Sequence, residues 1–337
     1  CILYSLKTGQ TIRVEDCPTL ISRHMKKKEI PSMGGILMVI SLLISLFLWM
    51  DLQSSYTLIF FITTLFFGLV GGFDDFLKIK FKNSKGLSSK RKFFFQFFFS
   101  LILGIYLLFP SIQSCIEVGN WFTSLKVNHA MYFLPFKKDP IFTFSGVFVV
   151  IALIITIFVI TGASNAVNLT DGLDGLASGC VILVACVLAI FAFLSNNKEL
   201  SAYLNIAYIE GGSEIAVYMC ALAGTCLGFL WYNGYPAEVF MGDIGSITLG
   251  AILGVASVLL RRELLLALIG AVFVGEALSV IVQVASYKFR NKKRIFLCSP
   301  LHHHFEFKGW EEQKIVTRFW IVGLIFSLIG LASLKFQ

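Results

Sequence analysis

The stretch NAVNLTDGLDGLA, residues 165–177, lies between two apolar runs at 148–161 and 176–194. A hydrocarbon core of about 30 Å is crossed by about 20 apolar helical residues, so both runs are predicted to be membrane helices. The stretch therefore places two carboxylates, Asp171 and Asp174, at the mouth of these helices. Unpaired charges are costly in such a position.

The polar residues of this stretch recur every three positions, at Asn165, Asn168, Asp171 and Asp174. Because an α-helix turns about 100° per residue, a row with this period would drift around the helix axis, which favours a tight or broken turn. Gly172 and Gly175 supply the backbone freedom for such a turn and for the close approach of a ligand. A polar loop that only caps the two helices explains the stretch equally well.

The composition is typical of integral membrane proteins. The 337 residues are 57% hydrophobic and 14% charged, with a mean hydropathy of +0.81, which is far more apolar than a soluble domain. The eight cysteines are scattered and form no CxxC pair, so they indicate no disulfide framework. We predict an all-α, polytopic helix bundle that forms one membrane domain over residues 1–337.

Nine apolar stretches are long enough to cross a bilayer. They lie at about 34–50, 56–72, 93–109, 142–161, 176–194, 215–232, 244–260, 264–287 and 319–334. The chain begins CILYSLKTGQ, with neither Met nor a signal-peptide pattern, and we interpret this start as short or incomplete.

The Lys and Arg residues predict the orientation of the bundle. If residues 1–33 are cytoplasmic, 21 of the 28 Lys and Arg lie on the cytoplasmic side, as the positive-inside rule requires. The net charge of +8 then suits lipid headgroups and phosphorylated substrates, and we expect no nucleic-acid partner. The chemistry-bearing segments fall in the cytoplasmic loops 73–92, 162–175, 233–243 and 288–318. Because they share one face of the membrane, we expect them to converge on one site.

GGFDDFLK, residues 71–78, ends a predicted span with two adjacent carboxylates, Asp74 and Asp75. Lys78 could pair with them inside the helix, an interaction of only a few tenths of a kcal/mol. Alternatively, repulsion between the carboxylates raises the pKa of one of them and makes a base available for proton abstraction.

Asp243 opens another span within FMGDIGS, residues 240–246. Mg²⁺ is commonly held by one or two carboxylates together with substrate phosphates, and Asp243 suits that role. Phe240 could stack on a base. Asp243 would equally well serve as a helix N-cap.

LHHHFE, residues 301–306, follows Pro300 and carries three successive histidines. At most two of them can face one site from a helix, and the spacing suits hydrogen bonds to phosphate better than zinc ligation. Glu276, inside the 264–287 span, is a functional candidate by default. We expect it instead to make an interhelical hydrogen bond, well away from the cytoplasmic loops.

Five segments together carry a resemblance to a known family: PSMGG (31–35), GGFDDFLKIK (71–80), NAVNLTDGLDGLA (165–177), VFMGDIGS (239–246) and PLHHHFE (300–306). In this order they resemble the bacterial phospho-N-acetylmuramoyl-pentapeptide-transferases, a branch of the polyprenyl-phosphate N-acetylhexosamine-1-phosphate transferases. The resemblance covers nearly the whole chain. It implies ten membrane helices, one more than the nine visible here.

The resemblance implies an Mg²⁺-dependent transfer of phospho-MurNAc-pentapeptide from UDP-MurNAc-pentapeptide to undecaprenyl phosphate. The products would be UMP and lipid I, an intermediate of peptidoglycan synthesis. The implied location is the bacterial inner membrane, with the active site on the cytoplasmic face, and a homodimer is left open.

The resemblance also implies roles for individual residues. Asp243 would bind the metal, Asp74 would be the base for the lipid phosphate, and Asp75 would assist it. Further side chains would lie in the catalytic site: Asp171, His302 and His303. The implied substrate contacts are Lys27, Lys78, Lys82, Lys90, Asn168, Gly172, Leu173, Asp174, Asn233 and Phe240.

Two other functions fit parts of the pattern. A sister transferase would use UDP-GlcNAc as the donor. A proton-coupled transporter, from a different functional class, would use Glu276 and the cytoplasmic carboxylates as a proton relay.

Overall fold

The computed structural model describes residues 30–81, 86–109, 130–290 and 292–335. Within these ranges, eight helices are long and apolar enough to cross a membrane, and a shorter apolar helix covers Gly35–Trp49. The predicted all-α membrane bundle is therefore confirmed. The single described sheet is a two-stranded antiparallel hairpin, in which Met131 pairs with Thr143.

The described elements follow one another along the chain. The helices before the turn at Asp171 are α1 (Gly35–Trp49), α2 (Ser55–Lys80), α3 (Ser89–Leu108) and α4 (Val149–Thr170). The hairpin strands β1 (Met131–Tyr132) and β2 (Phe142–Thr143) and a 3₁₀ turn (Gly146–Phe148) lie between α3 and α4. The later helices are α5 (Leu176–Asn196), α6 (Lys198–Tyr203), α7 (Ser213–Asn233), α8 (Gly242–Leu259), α9 (Glu263–Ile269), α10 (Ala271–Phe289), α11 (Leu301–Phe307) and α12 (Glu312–Ala332).

Three predicted boundaries are wrong. The expected 142–161 span begins in β2 and the 3₁₀ turn, and its helix, α4, covers Val149–Thr170. The expected 264–287 span is divided into α9 and α10, which meet at Gly270. The expected loop 162–175 is helical as far as Thr170, so only the turn 171–175 lies outside helices. Asn165 is accommodated in α4 because its Nδ2 donates to Gln96 Oε1 on α3 at 2.6 Å and to the main-chain oxygen of Thr161 at 2.7 Å. Because these acceptors satisfy the side-chain amide of Asn165, the helix continues through this residue.

The other predicted site loops also contain helix. The segment 73–92 is helical through Lys80 and again from Ser89, and 233–243 begins and ends in helical residues. The segment 288–318 includes the end of α10, all of α11 and the start of α12. Most of the predicted site residues are thus held on helix ends, which position side chains more firmly than open loops do.

Helix α8 lies at the centre of the bundle, and small residues let three helices approach it closely. The most apolar 18-residue window of this helix is 89% buried. A Cβ atom at Gly250 would lie 2.5 Å from the main-chain oxygen of Ala163 on α4, and one at Gly35 on α1 would overlap the main-chain nitrogen of Gly245. On α2, a Cβ atom at Gly71 would lie 2.5 Å from the main-chain oxygen of Asp243. Backbone contact therefore fixes the end of α2 beside the start of α8.

Candidate active site

The close contact between α2 and α8 brings three carboxylates together. Asp74 and Asp75 come from the last two turns of α2, and Asp243 from the first turn of α8. One oxygen of each lies within 4.8 Å of an oxygen of the other two. Asp75 is fixed by its Oδ2, which accepts the main-chain N–H of Ile244 at 3.0 Å. We call these three residues the acidic cluster.

Two lysines reach into the acidic cluster. Lys78 Nζ lies 2.6 Å from Asp74 Oδ2, 3.3 Å from Asp75 Oδ1 and 3.0 Å from Asp243 Oδ2. Lys92 Nζ lies 2.8 Å from Asp74 Oδ2 and also pairs with Asp243. Asp74 is fully buried, while each lysine side chain keeps about a quarter or less of its surface exposed. The site therefore combines anionic oxygens with two partly exposed cationic groups.

The acidic cluster fits a divalent cation. Hard cations such as Mg²⁺ take carboxylate oxygens as ligands, and the three carboxylates already converge within metal-binding range. The same groups could also hold a cation between themselves and a phosphate oxygen. Lys78 and Lys92 are placed to contact the remaining phosphate oxygens.

The lysines predicted from the resemblance have different outcomes. Lys78 lies in the cluster, as expected. Lys90 is exposed and makes no ion pair within the described ranges, so its substrate contact stays a prediction, whereas Lys92, which was not predicted as a site residue, pairs with Asp74. Residues two positions apart on a helix differ by about 200° around its axis, so Lys90 and Lys92 point to opposite sides of α3. Lys27 and Lys82 lie outside the described residues.

Asn168 links α4 to the acidic cluster. Its Nδ2 donates to Asp243 Oδ1 at 3.1 Å and to Ser246 Oγ at 2.8 Å. Sequence reasoning did not single out Ser246 or Gln96, the partner of Asn165. Gln96 could have been found as the one polar residue in the run FFFQFFF, and Ser246 as the hydroxyl one turn after Asp243.

The turn 171–175 adds a fourth carboxylate to this end of the bundle. Asp171 is half-buried, and its pKa is raised to about 7 by burial first, then by the negative charges of Asp243, Asp75 and Asp174. Gly175 has a φ of +77°, a left-handed conformation that favours glycine. The turn is therefore held close enough to the acidic cluster for their charges to interact.

Asp174 and Asn233 hold this turn against the segment that follows α7. Asp174 Oδ2 accepts the main-chain N–H of Ala237 at 3.1 Å, and Asn233 Oδ1 accepts that of Gly175 at 3.1 Å. Glu312, which sequence reasoning missed, accepts the main-chain N–H of Asp174 at 2.9 Å. Asp174 and Asn233 are buried, as is Leu173. Their predicted contact with a nucleoside stays a prediction.

The segment PSMGG lies beside Phe240. The main-chain oxygen of Pro31 accepts the N–H of Phe240 at 2.9 Å, and Gly34 donates its N–H to the main-chain oxygen of Phe240 at 2.8 Å. The ring of Phe240 is half-buried. The main chain of this segment is thereby fixed next to Asp243, and the predicted stacking on a base stays a prediction.

The histidines of α11 lie against the turn 171–175. His302 is 1% exposed, and a Cβ atom at Gly172 would overlap its Nε2. His303 Nδ1 lies 2.6 Å from Glu306 Oε2. The expectation that Glu276 lies far from the site segments is wrong, because Glu276 Oε1 accepts the main-chain N–H of His302 at 3.1 Å. The four predicted site segments are therefore linked, with α10 as an additional member.

Comparisons with known proteins find relatives that align with nearly the whole chain. The family described as Glycosyl transferase family 4 matches residues 57–261. A phospho-N-acetylmuramoyl-pentapeptide-transferase from Protochlamydia amoebophila (strain UWE25) is 55% identical, covering 99% of this chain and 88% of that protein. Proteins of the same name from Francisella tularensis subsp. mediasiatica and Francisella philomiragia are 47% and 48% identical, each covering 99% of this chain and 86% of the relative.

Proposed function

Because the chain belongs to glycosyl transferase family 4 and, within it, to the phospho-N-acetylmuramoyl-pentapeptide-transferases, we propose that it makes lipid I. In this reaction phospho-MurNAc-pentapeptide passes from UDP-MurNAc-pentapeptide to undecaprenyl phosphate, and UMP is released. The observation that carries the proposal is the acidic cluster, with two lysines bound to it, at the ends of membrane helices.

The charges of the substrates explain why this cluster suits the reaction. A lipid phosphate and a nucleotide diphosphate repel each other, so the enzyme must neutralise charge while it holds the attacking oxygen in line with the phosphorus. Lys78 and Lys92, which lie beside the carboxylates, would turn toward the phosphate oxygens when the substrates bind. Asp243 would hold Mg²⁺ beside Asp74 and Asp75, and the ion would supply further charge neutralisation at the diphosphate.

The transfer itself is proposed to be direct. An oxygen of the lipid phosphate attacks the β-phosphorus of the donor, a new P–O bond forms, and the bond to UMP breaks. Asp74 would take any proton still held by the lipid phosphate, and Asp75, fixed by the N–H of Ile244, would assist. Trapping a phosphorylated enzyme with UDP-MurNAc-pentapeptide in the absence of lipid would contradict this direct route.

The apolar helices and the basic residues indicate where in the cell the protein and its active site lie. The eight long apolar helices make the chain a multi-pass membrane protein. The excess of Lys and Arg on the site side supports the cytoplasmic face of a bacterial inner membrane. There the cluster would meet a soluble nucleotide on one side and a lipid phosphate on the other.

A transfer assay tests the proposal. Detergent-purified protein receives undecaprenyl phosphate and either radiolabelled UDP-MurNAc-pentapeptide or radiolabelled UDP-GlcNAc, with Mg²⁺ or with EDTA. We expect labelled lipid from the first donor only, and loss of labelling in EDTA and in Asp243→Asn. Labelling from UDP-GlcNAc alone would identify the sister transferase. Labelling from neither donor would refute the proposed function.

A further inference from the structure

Glu276 is a buried carboxylate that the proposed reaction has not used. It lies in the second turn of α10 and has no exposed surface. The segment between α10 and α11 folds back so that α11 begins beside it, and Oε1 and Oε2 lie 3.1 and 3.5 Å from the main-chain nitrogen of His302. The carboxylate thus holds the start of α11 directly.

The same carboxylate also faces the imidazole of His302. Oε2 lies 3.1 Å from Nδ1, an electrostatic contact that is not aligned as a hydrogen bond in this conformation. Contacts of this kind commonly tighten when a substrate binds. Nε2 has no hydrogen-bond partner in the described part of the chain and lies against Gly172, at the turn that carries Asp171. The ring therefore presents Nδ1 to Glu276 and Nε2, which is buried, to the main chain of the turn 171–175 at Gly172.

A second residue of α10, Gln283, shows that a neutral side chain is sufficient to hold the main chain of the segment that leads to α11. Gln283 Oε1 accepts the N–H groups of Ile295 and Phe296, each at 3.0 Å, and so fixes the same connecting segment with a neutral amide. A fully buried carboxylate is far more costly than an amide unless a charged or strongly polar partner offsets its desolvation. Among the described residues, the ion-pair partner of Glu276 is the imidazole of His302, which accounts for an acid at position 276.

We propose that Glu276 is a positioning residue that holds the proton of His302 on Nδ1 and keeps Nε2 directed at the substrate side of the turn 171–175. A carboxylate beside one ring nitrogen fixes which nitrogen carries the proton and how the ring is oriented. In the neutral ring Nε2 is then an acceptor, and in the charged ring it becomes a donor to a phosphate. This inference rests on the proposed function, because it assigns His302 to the same phosphate-binding site.

A double-mutant cycle tests whether Glu276 acts through His302. Glu276→Gln keeps an acceptor for the main-chain N–H but turns an NH₂ group toward Nδ1. We expect it to lower kcat about ten- to hundred-fold, as the loss of such orienting partners typically does, with a much smaller change in KM. In a His302→Gln background the same substitution should have no further effect. Losses that multiply in the double mutant would overturn the proposal.

The position of the ring proton provides a second test that does not depend on activity. ¹⁵N-histidine-labelled protein in nanodiscs is compared by NMR with Glu276→Gln and with a matched control, Gln283→Met, and His302→Gln identifies the signal. We expect the neutral ring to carry its proton on Nδ1 in the wild type and in Gln283→Met, and on Nε2 in Glu276→Gln. A proton on Nε2 in the wild type would refute the role of Glu276. If the wild type transfers neither donor, the proposed function fails, while this spectrum still decides whether Glu276 orients the ring.

Discussion

Replacing Lys92 by methionine removes one of the two ammonium groups of the site while keeping most of the volume of the side chain. Lys92 Nζ lies 2.8 Å from Asp74 Oδ2 and also pairs with Asp243, and the side chain is only 20% exposed. The variant therefore leaves a buried carboxylate with fewer partners and removes a cation from the phosphate-binding position.

The contacts of Lys92 set the size of the effect. A hydrogen bond to a charged group contributes about 1.5 to 3 kcal/mol, and about 1.4 kcal/mol corresponds to a tenfold change in rate. Breaking a buried ion pair outright costs more, about 3 to 5 kcal/mol. Lys78 stays 2.6 Å from Asp74, however, and limits the loss. We expect Lys92→Met to lower kcat/KM on the order of ten- to hundred-fold.

Lys90→Met is the matched control, because it removes the same charge from the same helix on the exposed side. The transfer assay, run at two salt concentrations on protein of verified thermal stability, should show little change for this variant, since exposed charges contribute little. An equal or larger loss in Lys90→Met would refute the assignment of Lys92 to the site.

Two further predictions concern packing and pH. Gly35→Ala should lower the thermal midpoint, because its Cβ would overlap the backbone of α8 and overpacking costs about 1 to 3 kcal/mol. Gly224→Ala, whose Cβ would meet no atom within 4 Å, should not lower it, and equal behaviour of the two would contradict the packing described. The pKa of Asp171 is raised from 3.8 to about 7, so the protonated side chain stabilises the fold below pH 3.8, and this contribution is lost as the pH rises through 7. The measurement is the thermal midpoint of the wild type minus that of Asp171→Asn, without nucleotide or added metal. This difference should decrease as the pH is raised from about 4 to about 7.5. An increase with pH would show that the carboxylate is stabilised as an anion.

The membrane helices could be predicted because the bilayer imposes a minimum apolar length on every span, and the sequence displays that length directly. The grouping of Asp74, Asp171, Asp243 and His302 also followed, since loops on one face of a short bundle have little room to separate. Neither inference required knowledge of how one helix packs on another.

Rotation of a helix about its axis and reversal of the chain could not be predicted from the sequence. Lys90 and Lys92 are equivalent as charges near a helix start, and only the orientation of α3 separates them. The polar row that starts at Asn165 was expected to favour a turn, but α4 continues through Asn165 because Gln96 on another helix accepts a hydrogen bond from its side chain. Glu276 was expected far from the site because it lies inside its span, whereas the chain returns after α10 and places His302 beside it.

The glycine contacts around α8 also determine which parts of the enzyme can move. A helix whose neighbours touch its backbone cannot tilt or slide without steric overlap, so Asp243 and the end of α2 keep a fixed relative position. The carboxylates of the acidic cluster are thus held at fixed positions by main-chain packing before any substrate binds. Adjustment to the two substrates is then left to side chains that these backbone contacts do not restrain, such as those of Lys78 and Lys92.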